Sequence, residues 1–350
     1  MAAPKVFITG ATGYIGGDVL YTIINAHPEY EIACLVRDSD RGALVASQYP
    51  KVRLVYGALE SVEIVEEEAT KADIVLNCAN ADNLAAAKAI AAGLSKRSET
   101  GYWIHTSGTG VLTFADMDRG TFGEGKSTKV YDDWDGVTEV TSVPDSALHR
   151  NVDQVVLASG QSLKGPLKTA IVCPPTIYGQ GRGPANQRSI QLPDLIRLTL
   201  ERGQAFQVGQ GQTYWNEVHV RDLSKVYLAL VEDAVAGAGE ATWGPKGYYF
   251  AEHGEIVWGD VSKKVASVAH HKGFIKDDRV VSVTAEEASQ LRHGGPVLWG
   301  ANSRCSAIRA RKLLRWLPTE KHLVDEIDLA VEMEAERAGL KPGHAIKAAG

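Results

Sequence analysis

The sequence has no long apolar run and little excess charge of either sign. No stretch approaches the roughly 20 apolar residues that a transmembrane helix needs, and the opening residues MAAPKVF show none of the zones of a secretory signal peptide. The formal net charge of -6 argues against nucleic-acid binding through a basic face. These absences predict a cytoplasmic protein that binds neither nucleic acid nor a membrane.

Cysteine is scarce as well. The chain has 4 cysteines, with no C-x-x-C pair and no histidines nearby at a metal-binding spacing. Adjacent His270 and His271 make a poor metal pair, because neighbouring side chains point to different faces. We therefore predict no metal site, and we expect buried thiols, since most of the cysteines lie in apolar, strand-like runs.

The first half of the chain alternates between two periodicities. Apolar, strand-like runs alternate with helical stretches such as DVLYTIINA and NLAAAKAIAAGLSK. This alternation predicts an α/β fold, a doubly wound parallel sheet of the Rossmann type with helices on both faces. The predicted strands are 5–9, 31–37, 52–57, 73–78, 103–106 and 169–173.

A glycine motif follows the first predicted strand. Residues 6–16 read VFITGATGYIG, with glycine at positions 10, 13 and 16. Glycine at a strand-to-helix turn lets the backbone approach a pyrophosphate, and the helix N-terminus offers unpaired N–H groups to the phosphates. The same spacing also permits close helix packing, but the strand, turn and helix context favours dinucleotide binding.

The end of the second strand, LVRDSDR, bears on which dinucleotide binds. An acidic residue about 20 positions beyond the glycines accepts from a ribose 2′-hydroxyl, whereas an arginine neutralises a 2′-phosphate. Here Arg37 comes first, Asp38 follows it, and Arg41 lies one turn later. We favour NADP(H) over NAD(H); the alternative is that Arg37 is a solvated strand end.

The pattern changes after Cys173. The stretch GQGRGPANQ predicts a glycine-rich loop into a different part of the fold. Further on, VHVRDLSKVYLALVEDA again reads as a strand followed by an amphipathic helix. We predict a dinucleotide-binding domain over 1–178 and a mainly substrate-binding region over 179–350, with residues 214–236, as approximate bounds, returning to the first domain.

Motifs spread over nearly the whole chain include TGATGYIGG, LVRD, ADIVLNCAN, WIHTSGTG, CPPTIYGQG, WNEVHVRDL and NSRCSAIRARKLLRWLP. Together they resemble the extended short-chain dehydrogenase/reductase family, which includes nucleotide-sugar epimerases and dihydroflavonol reductases. The resemblance implies a Rossmann sheet of about seven strands and a smaller C-terminal substrate region over the nicotinamide. The predicted cofactor contacts are Gly10, Thr12, Gly13, Tyr14, Ile15, Gly16, Arg37, Asp38, Cys78, Ala79, Asn80, Thr106, Pro174, Pro175 and Thr176.

The sequence departs from this family at the catalytic pair. Family members use Tyr-x-x-x-Lys on one helix, where the lysine lowers the pKa of the tyrosine that moves the proton. No tyrosine here has a lysine four residues later, and the corresponding helix, PDSALHRNVDQVVLASG, carries Asp145, His149 and Asp153 instead. Our hypothesis places His149 at the tyrosine position, with its pKa raised by Asp153. The alternative is a set of surface ion pairs among His149, Arg150 and Asp153.

Other polar residues complete the predicted site. Ser107, just after the fifth strand, is the expected hydrogen-bond partner of the substrate, unless it only satisfies the turn backbone. Gly108 falls where family members often have a hydroxyl. Tyr131, in the polar insert FGEGKSTKVYDDWDG, is an alternative acid or a residue that packs a surface loop or lid. The remaining predicted substrate residues are Thr109, Tyr178, Gln187 and Arg188.

Two functions follow from these features. One is an NADP(H)-dependent oxidoreductase or isomerase that acts on a small carbonyl or hydroxyl compound with a non-standard proton donor. The other is a non-catalytic NADP(H)-binding sensor or regulatory protein, which the missing catalytic pair favours and the full second region disfavours. A small-molecule substrate is the expected partner, and a homodimer is a further expectation from the resemblance.

Overall fold

The computed structural model describes residues 3–125, 129–161 and 167–343. Helices and strands alternate regularly up to β5 and less regularly after it. The first half contains β1 (Lys5–Thr9), α1 (Tyr14–Ala26), β2 (Glu31–Val36), α2 (Ser39–Gln48), β3 (Arg53–Tyr56), α3 (Val62–Lys71), β4 (Ile74–Asn77), α4 (Leu84–Ser95), β5 (Gly101–Thr106), α5 (Phe114–Arg119), β6 (Tyr131–Asp132), α6 (Val137–Val140), α7 (Arg150–Ser159) and β7 (Leu167–Cys173).

The second half begins with short strands around a long helix. It contains β8 (Thr176–Tyr178), α8 (Gln191–Arg202), β9 (Ala205–Val208), β10 (Tyr214–His219), α9 (Val220–Val235), β11 (Tyr248–Phe250), β12 (Gly254–Val257), α10 (Trp258–His271), β13 (Val280–Val283), α11 (Ala285–Leu291), α12 (Gly295–Gly300), β14 (Cys305–Ser306), α13 (Ile308–Leu313) and α14 (Leu323–Arg337).

The main sheet has seven strands in the order β11-β7-β5-β4-β1-β2-β3. All of its pairs are parallel, and Val6 of β1 lies between Ile32 of β2 and Ile74 of β4. The predicted Rossmann-type α/β fold is thus confirmed. The strand order reverses between β1 and β4, and open parallel sheets bind ligands at such a switch point, outside the carboxyl ends of the strands.

The second half of the chain packs its own core and also returns to the first. Strands β8, β10 and β12 form a three-stranded sheet, and α8, α10 and α14 pack around a separate apolar core. Helix α9 packs against α1, and β11 extends the main sheet beside β7. Helix α9 lies in the segment for which the sequence predicts a return to the first domain, whereas β11 is too short to have a readable period.

The loop after β8 is fixed against α1. A Cβ on Gly17 would lie 2.9 Å from the Cα of Gly183, so the two backbones meet without side chains between them. Arg182 in this loop donates from Nε and Nη2 to the two carboxylate oxygens of Asp18, at 2.9 and 2.7 Å. Ser224 of α9 donates to the same carboxylate at 2.7 Å. These contacts join the glycine-rich end of α1 to the start of the second region.

No helix within the described ranges is long and apolar enough to cross a membrane. The four cysteines are buried and free of disulfides, which confirms the expectation of buried thiols. Burial raises the pKa of the Cys78 thiol to about 12, so thiolate chemistry is disfavoured there. Across those same ranges, no three His, Cys, Asp or Glu side chains are grouped so as to hold a metal ion.

Candidate active site

The glycine-rich turn between β1 and α1 is tightly packed and carries little side-chain bulk. Gly10 has φ +80°, and a Cβ there would lie 2.6 Å from the Cys78 carbonyl carbon. A Cβ on Gly16 would collide with the Gly10 carbonyl oxygen. Helix α1 begins after Gly13 with no side-chain cap, which leaves its first N–H groups for a ligand. The turn therefore fits a pyrophosphate, whose oxygens would accept from those groups.

A cavity of about 410 Å³ opens beside this turn, where β1, β2, β3 and β4 end. Seven of the predicted cofactor residues line it: Gly10, Thr12, Gly13, Arg37, Cys78, Ala79 and Asn80. The rest of the lining comes from Leu35, Arg41, Gly57, Leu59, Glu60 and Asn83. The two leucines supply an apolar wall of the kind an adenine ring needs, and the two arginines supply positive charge, so the cavity fits the adenosine half of a nicotinamide dinucleotide.

The residues at the end of β2 have different roles. The Asp38 carboxylate caps α2 by accepting from the Arg41 backbone N–H at 2.8 Å. The Arg41 guanidinium lies 3.4 Å from both Asp38 and the Thr12 hydroxyl. Arg37 is exposed, and no residue in the described part of the chain forms a hydrogen bond or ion pair with its side chain. Its guanidinium is thus available to a ligand, whereas much of the Asp38 carboxylate is engaged locally.

Some of the predicted cofactor side chains point away from this cavity. The Thr106 hydroxyl is 2.6 Å from the Tyr227 hydroxyl of α9, and Thr106 is 3% exposed. The Tyr14 hydroxyl donates to the Gly179 carbonyl oxygen at 2.6 Å. Both hydroxyls therefore join parts of the fold, and any contact of Thr106 or Tyr14 with the cofactor stays a prediction for their other atoms. Ile15, Pro174, Pro175 and Thr176 are at least partly buried around the ends of α1 and β7.

His149 is held in an unusual conformation at the start of α7. It occupies the N-cap position with φ 63°, a left-handed conformation that costs a non-glycine residue free energy and is enriched at functional sites. Its Nδ1 is 2.8 Å from Asp82 Oδ1. Its Nε2 lies 3.2 Å from where a Cβ on Gly108 would stand, and 3.4 Å from the same position on Gly110. The two glycines therefore leave room for the imidazole ring.

The charge of His149 is set mainly by burial and by Asp82. Burial opposes protonation of the ring, but the hydrogen bond and charge of Asp82, with a smaller effect of Asp153, raise the pKa of His149 above its ordinary value. The helix spacing predicted Asp153 as the partner, and the structure corrects this: the hydrogen-bonded carboxylate is Asp82. With Nδ1 bonded to Asp82, the proton available for chemistry is the one on Nε2.

We expect Asp82→Asn to move the pH profile of any reaction that needs protonated His149. Loss of the carboxylate charge lowers the pKa of His149, so the alkaline fall in activity should shift by about one unit to lower pH. The measurement is kcat against pH for wild type and variant. Asp145→Asn is the matched control, because Asp145 is exposed and its carboxylate accepts from Gln154 at 2.6 Å. An unmoved alkaline limb in Asp82→Asn would contradict this assignment of the proton.

Ser107 and Asp153 form a buried pair behind the His149 ring. The Ser107 hydroxyl donates to Asp153 Oδ2 at 2.8 Å, and both residues are at most 5% exposed. Burial raises the pKa of Asp153 to about 7, partly opposed by the Ser107 hydrogen bond. The alternative that Asp153 forms ion pairs on the helix surface is thus wrong, because its carboxylate is buried and faces Ser107 at the end of β5.

The other predicted substrate residues are distributed through the fold. Tyr131 lies in β6, with the Lys129 ammonium 5.1 Å from its ring centroid; residues 126–128 of its insert lie outside the described ranges. Thr109 is buried, and its hydroxyl has no hydrogen-bond partner among the residues that the structure describes. Tyr178 is 1% exposed and packs edge-on against His219, and Gln187 donates to the Gly183 carbonyl oxygen.

Arg188 is also committed to the fold. It forms ion pairs with Glu334 of α14 and Asp194 of α8, each at 2.9 Å. Its charge is therefore balanced within the protein. Arg188, Tyr178 and Gln187 also line one cavity between the loop after β8, α8 and α14, and their assignment to substrate binding stays a prediction.

Sequence reasoning missed Asp82 and two buried groups that face Asp153, namely His105, whose Nε2 is 3.7 Å from its carboxylate, and Tyr248. Asp82 follows the predicted contact Asn80 by two residues, so its position in the loop after β4 was a usable signal. His105 is a polar residue in the otherwise apolar end of β5, and Tyr248 lies in a short aromatic run, KGYYF. Neither pattern distinguishes a site residue from a core residue.

Comparisons with known proteins agree with the fold and the glycine turn. Residues 6–243 match the model of the NAD dependent epimerase/dehydratase family. Oxidase ucsJ of Acremonium sp is 40% identical over 345 residues, which cover 96% of this chain and 99% of that protein.

Solved structures with the same fold include two nucleotide-sugar enzymes. The dTDP-glucose 4,6-dehydratase of Bacillus anthracis, in complex with NAD, has a TM-score of 0.66 at 14% identity and covers 97% of this chain and 100% of its own. The UDP-glucose 4-epimerase of Thermotoga maritima, with UDP-glucose, has a TM-score of 0.63 at 14% identity and covers 95% and 99%. At this identity the likeness establishes the fold alone.

Proposed function

This chain belongs to the NAD dependent epimerase/dehydratase family, and on that premise we propose that it is an NADP(H)-dependent oxidoreductase or isomerase acting on a small carbonyl or hydroxyl compound. The proton donor in this proposal is His149, in place of the tyrosine that other extended short-chain dehydrogenases use. The observation that carries the proposal is the position of its imidazole, against Gly108 and Gly110 and hydrogen-bonded to Asp82. The oxidase relative and the NAD-containing structural neighbour support the nicotinamide chemistry.

The residues of this chain would divide the work as follows. A bound nicotinamide would supply or accept the hydride. The glycine turn after β1 would hold the pyrophosphate, and Arg37 and Arg41 would face the adenosine ribose. His149 Nε2 would give its proton to the substrate oxygen as the carbonyl is reduced, or take it in the reverse direction. Asp82 keeps the ring oriented and stabilises its charged form.

Arg37 and Arg41 support NADP(H) as the cofactor. We expect the double variant Arg37→Ala/Arg41→Ala to weaken NADPH binding by about 10- to 100-fold, the loss of one or two charge-assisted hydrogen bonds to a 2′-phosphate. NADH affinity should change little, because NADH lacks that phosphate. Titration of both cofactors by fluorescence measures the two affinities. Arg197→Ala on α8 is the control, since Arg197 forms a surface pair with Glu201. An equal loss for NADPH and NADH would contradict the assignment.

A turnover assay distinguishes the proposed enzyme from the alternative, a non-catalytic redox sensor. The experiment follows NADPH oxidation by purified protein across a panel of small aldehydes, ketones and quinones, with NADP+ reduction across the corresponding alcohols. Turnover that depends on His149 supports the proposed function. The alternative, a redox sensor, is favoured by the absence of the Tyr-x-x-x-Lys pair. It predicts no turnover and affinities for NADPH and NADP+ that differ by about tenfold or more, which is about 1.4 kcal/mol or more.

A further inference from the structure

A chain of buried polar side chains runs beneath the cofactor cavity, across the carboxyl ends of three strands. Thr9 of β1 donates to Asn77 Oδ1 at 2.6 Å, and Asn77 Nδ2 is 3.1 Å from His105 Nδ1. His105 Nε2 lies 3.7 Å from Asp153 Oδ1, and Ser107 donates to the other oxygen, Oδ2. All five residues are at most 5% exposed. The chain therefore connects the strand that precedes the glycine turn to the helix that begins at His149.

The direction of the hydrogen bonds fixes where this chain ends. Asn77 uses its oxygen to accept from Thr9, so its amide nitrogen must donate to His105 Nδ1. Neutral His105 then carries its proton on Nε2, which faces Asp153 Oδ1. Ser107 therefore donates the hydrogen bond that Asp153 accepts, while His105 Nε2 faces Asp153 Oδ1 at 3.7 Å, too far for a hydrogen bond, and neither of these two atoms has another partner among the described residues.

Asp153 also connects the two parts of the proposed site. Its backbone N–H donates to the His149 carbonyl oxygen at 3.0 Å, and its side chain accepts from Ser107, the residue before Gly108. His149 Nε2 lies against Gly108. Asp153 therefore contacts both His149, through its backbone, and Ser107, which precedes the glycine against which the His149 ring packs.

We propose that Asp153 is a positioning residue that sets the direction of the Ser107 hydroxyl. When ionised, Asp153 accepts the Ser107 proton in a hydrogen bond and leaves the serine oxygen only as an acceptor. When neutral, Asp153 donates to Ser107 and frees the serine proton to point toward a carbonyl oxygen beside Gly108. This inference rests on the proposed function and adds to it a second donor to the substrate, available only when Asp153 is neutral.

The surroundings of Asp153 support a change of protonation near neutral pH. Burial raises its pKa to about 7, whereas burial lowers the pKa of His105 to about 3, so His105 stays neutral. The titratable or charged groups that face Asp153, from its own helix, the loop after β4, β5, β7 and β11, are His149, Arg150, Asp82, His105, Cys173 and Tyr248. Only His149 and Arg150 bring positive charge, which is too little to keep the buried carboxylate strongly acidic.

The test uses Asp153→Asn, which imitates the neutral acid. Its amide can donate to Ser107, and the substitution breaks no hydrogen bond to His105, because His105 Nε2 and Asp153 Oδ1 lie 3.7 Å apart and form none. With NADPH and 4-nitrobenzaldehyde as the probe, we expect the alkaline limb of kcat to move to higher pH, opposite to the shift in Asp82→Asn. A shift to lower pH would overturn the proposal, because Asp153 would then act only through its charge on His149. At about pH 5.5, where neutral Asp153 and protonated His149 both predominate, the kcat of Ser107→Ala/Asp153→Asn should match that of Ser107→Ala alone, and an additional loss there would also overturn the proposal.

A second readout does not need turnover. The buried carboxylate has a raised pKa, so the fold loses stability as pH rises from about 4, the unfolded pKa of aspartate, and the loss is complete above the folded pKa of about 7. We expect Asp153→Asn to raise Tm by about 3 °C or more at pH 8.5 and by only a small part of that at about pH 4.5, close to the unfolded pKa. A lower Tm for the variant at pH 8.5 would overturn the proposal, since the carboxylate would then be a stabilising core group. The exposed Asp145→Asn should change neither readout. A wild-type protein that turns over no carbonyl, with the Tm pattern intact, would reject the proposed function and leave the ionisation of Asp153 standing.

Discussion

His149→Gln should lower kcat by about 100-fold or more while leaving the dissociation constant for NADPH within twofold of wild type. A positioned general acid contributes roughly 10²- to 10⁴-fold to proton transfer, and glutamine can hydrogen-bond to Asp82 but cannot transfer a proton in the same way. His149 does not line the cavity assigned to the adenosine half of the cofactor. The measurements are steady-state turnover with the best carbonyl in the panel and a fluorescence titration of NADPH.

The control for this prediction is His27→Gln. His27 also pairs with carboxylates, Glu29 and Glu232, but it follows α1 on the protein surface. That variant should retain full turnover. If His149→Gln is as active as His27→Gln, the imidazole at the start of α7 is a structural cap and the proton comes from elsewhere. Equal losses of kcat and NADPH affinity in His149→Gln would instead mean that the whole loop region is displaced.

The strands of the fold and the glycine turn could be predicted because local sequence specifies them. Buried parallel strands read as continuous apolar runs, and KVFIT of β1 and EIACLV of β2 are of this kind. The turn after β1 needs glycine for a steric reason that acts within a few residues, the positive φ and close packing of Gly10. Such features need no knowledge of distant residues.

The partners of the site residues could not be predicted in this way, because they come from distant segments. His149 was identified from its helix, but its partner Asp82 lies 67 positions away, in the loop between β4 and α4. Asp153 does contribute to the raised pKa of His149, but the hydrogen-bonded carboxylate is Asp82, because His149 lies before the first turn of α7 in a left-handed conformation. The four-residue spacing of a regular helix therefore does not apply to it.

Polar residues near the sheet edge were harder to assign than glycines. Thr106 and Arg188 have the chemistry of ligand contacts, yet in the structure they bind Tyr227 and the carboxylates of Asp194 and Glu334. A hydroxyl or guanidinium is equally suited to a ligand and to a buried partner inside the protein. Sequence alone gives the residue type and not the partner.

The largest expected loss of stability is that of Arg182→Ala. Asp18 is fully buried in α1, and it accepts from the Arg182 backbone N–H and side chain and from Ser224. Removing one partner of a buried ion pair leaves an uncompensated charge, which typically costs about 3–5 kcal/mol. We expect a loss near the lower end of that range, because the Arg182 side chain is 29% exposed. Urea unfolding at pH 7 measures the change.

The pH dependence of that loss and a second variant identify its cause. Burial alone would raise the pKa of Asp18, but the hydrogen bonds and charge of Arg182, with Ser224, lower it below the ordinary value. The ion pair therefore stabilises the fold above about pH 4, the unfolded pKa of aspartate, and its contribution falls as pH drops through the lower folded pKa.

The difference between wild type and Arg182→Ala should shrink in acid, and adding Asp18→Asn to Arg182→Ala should recover part of the lost stability at pH 7. Arg279→Ala, which removes an exposed pair with Asp277, should leave the stability nearly unchanged, because exposed ion pairs contribute little. A loss in Arg182→Ala that is independent of pH and unrelieved by Asp18→Asn would mean that Arg182 stabilises the loop through packing on the Tyr21 ring, 4.4 Å from its guanidinium, and not through charge.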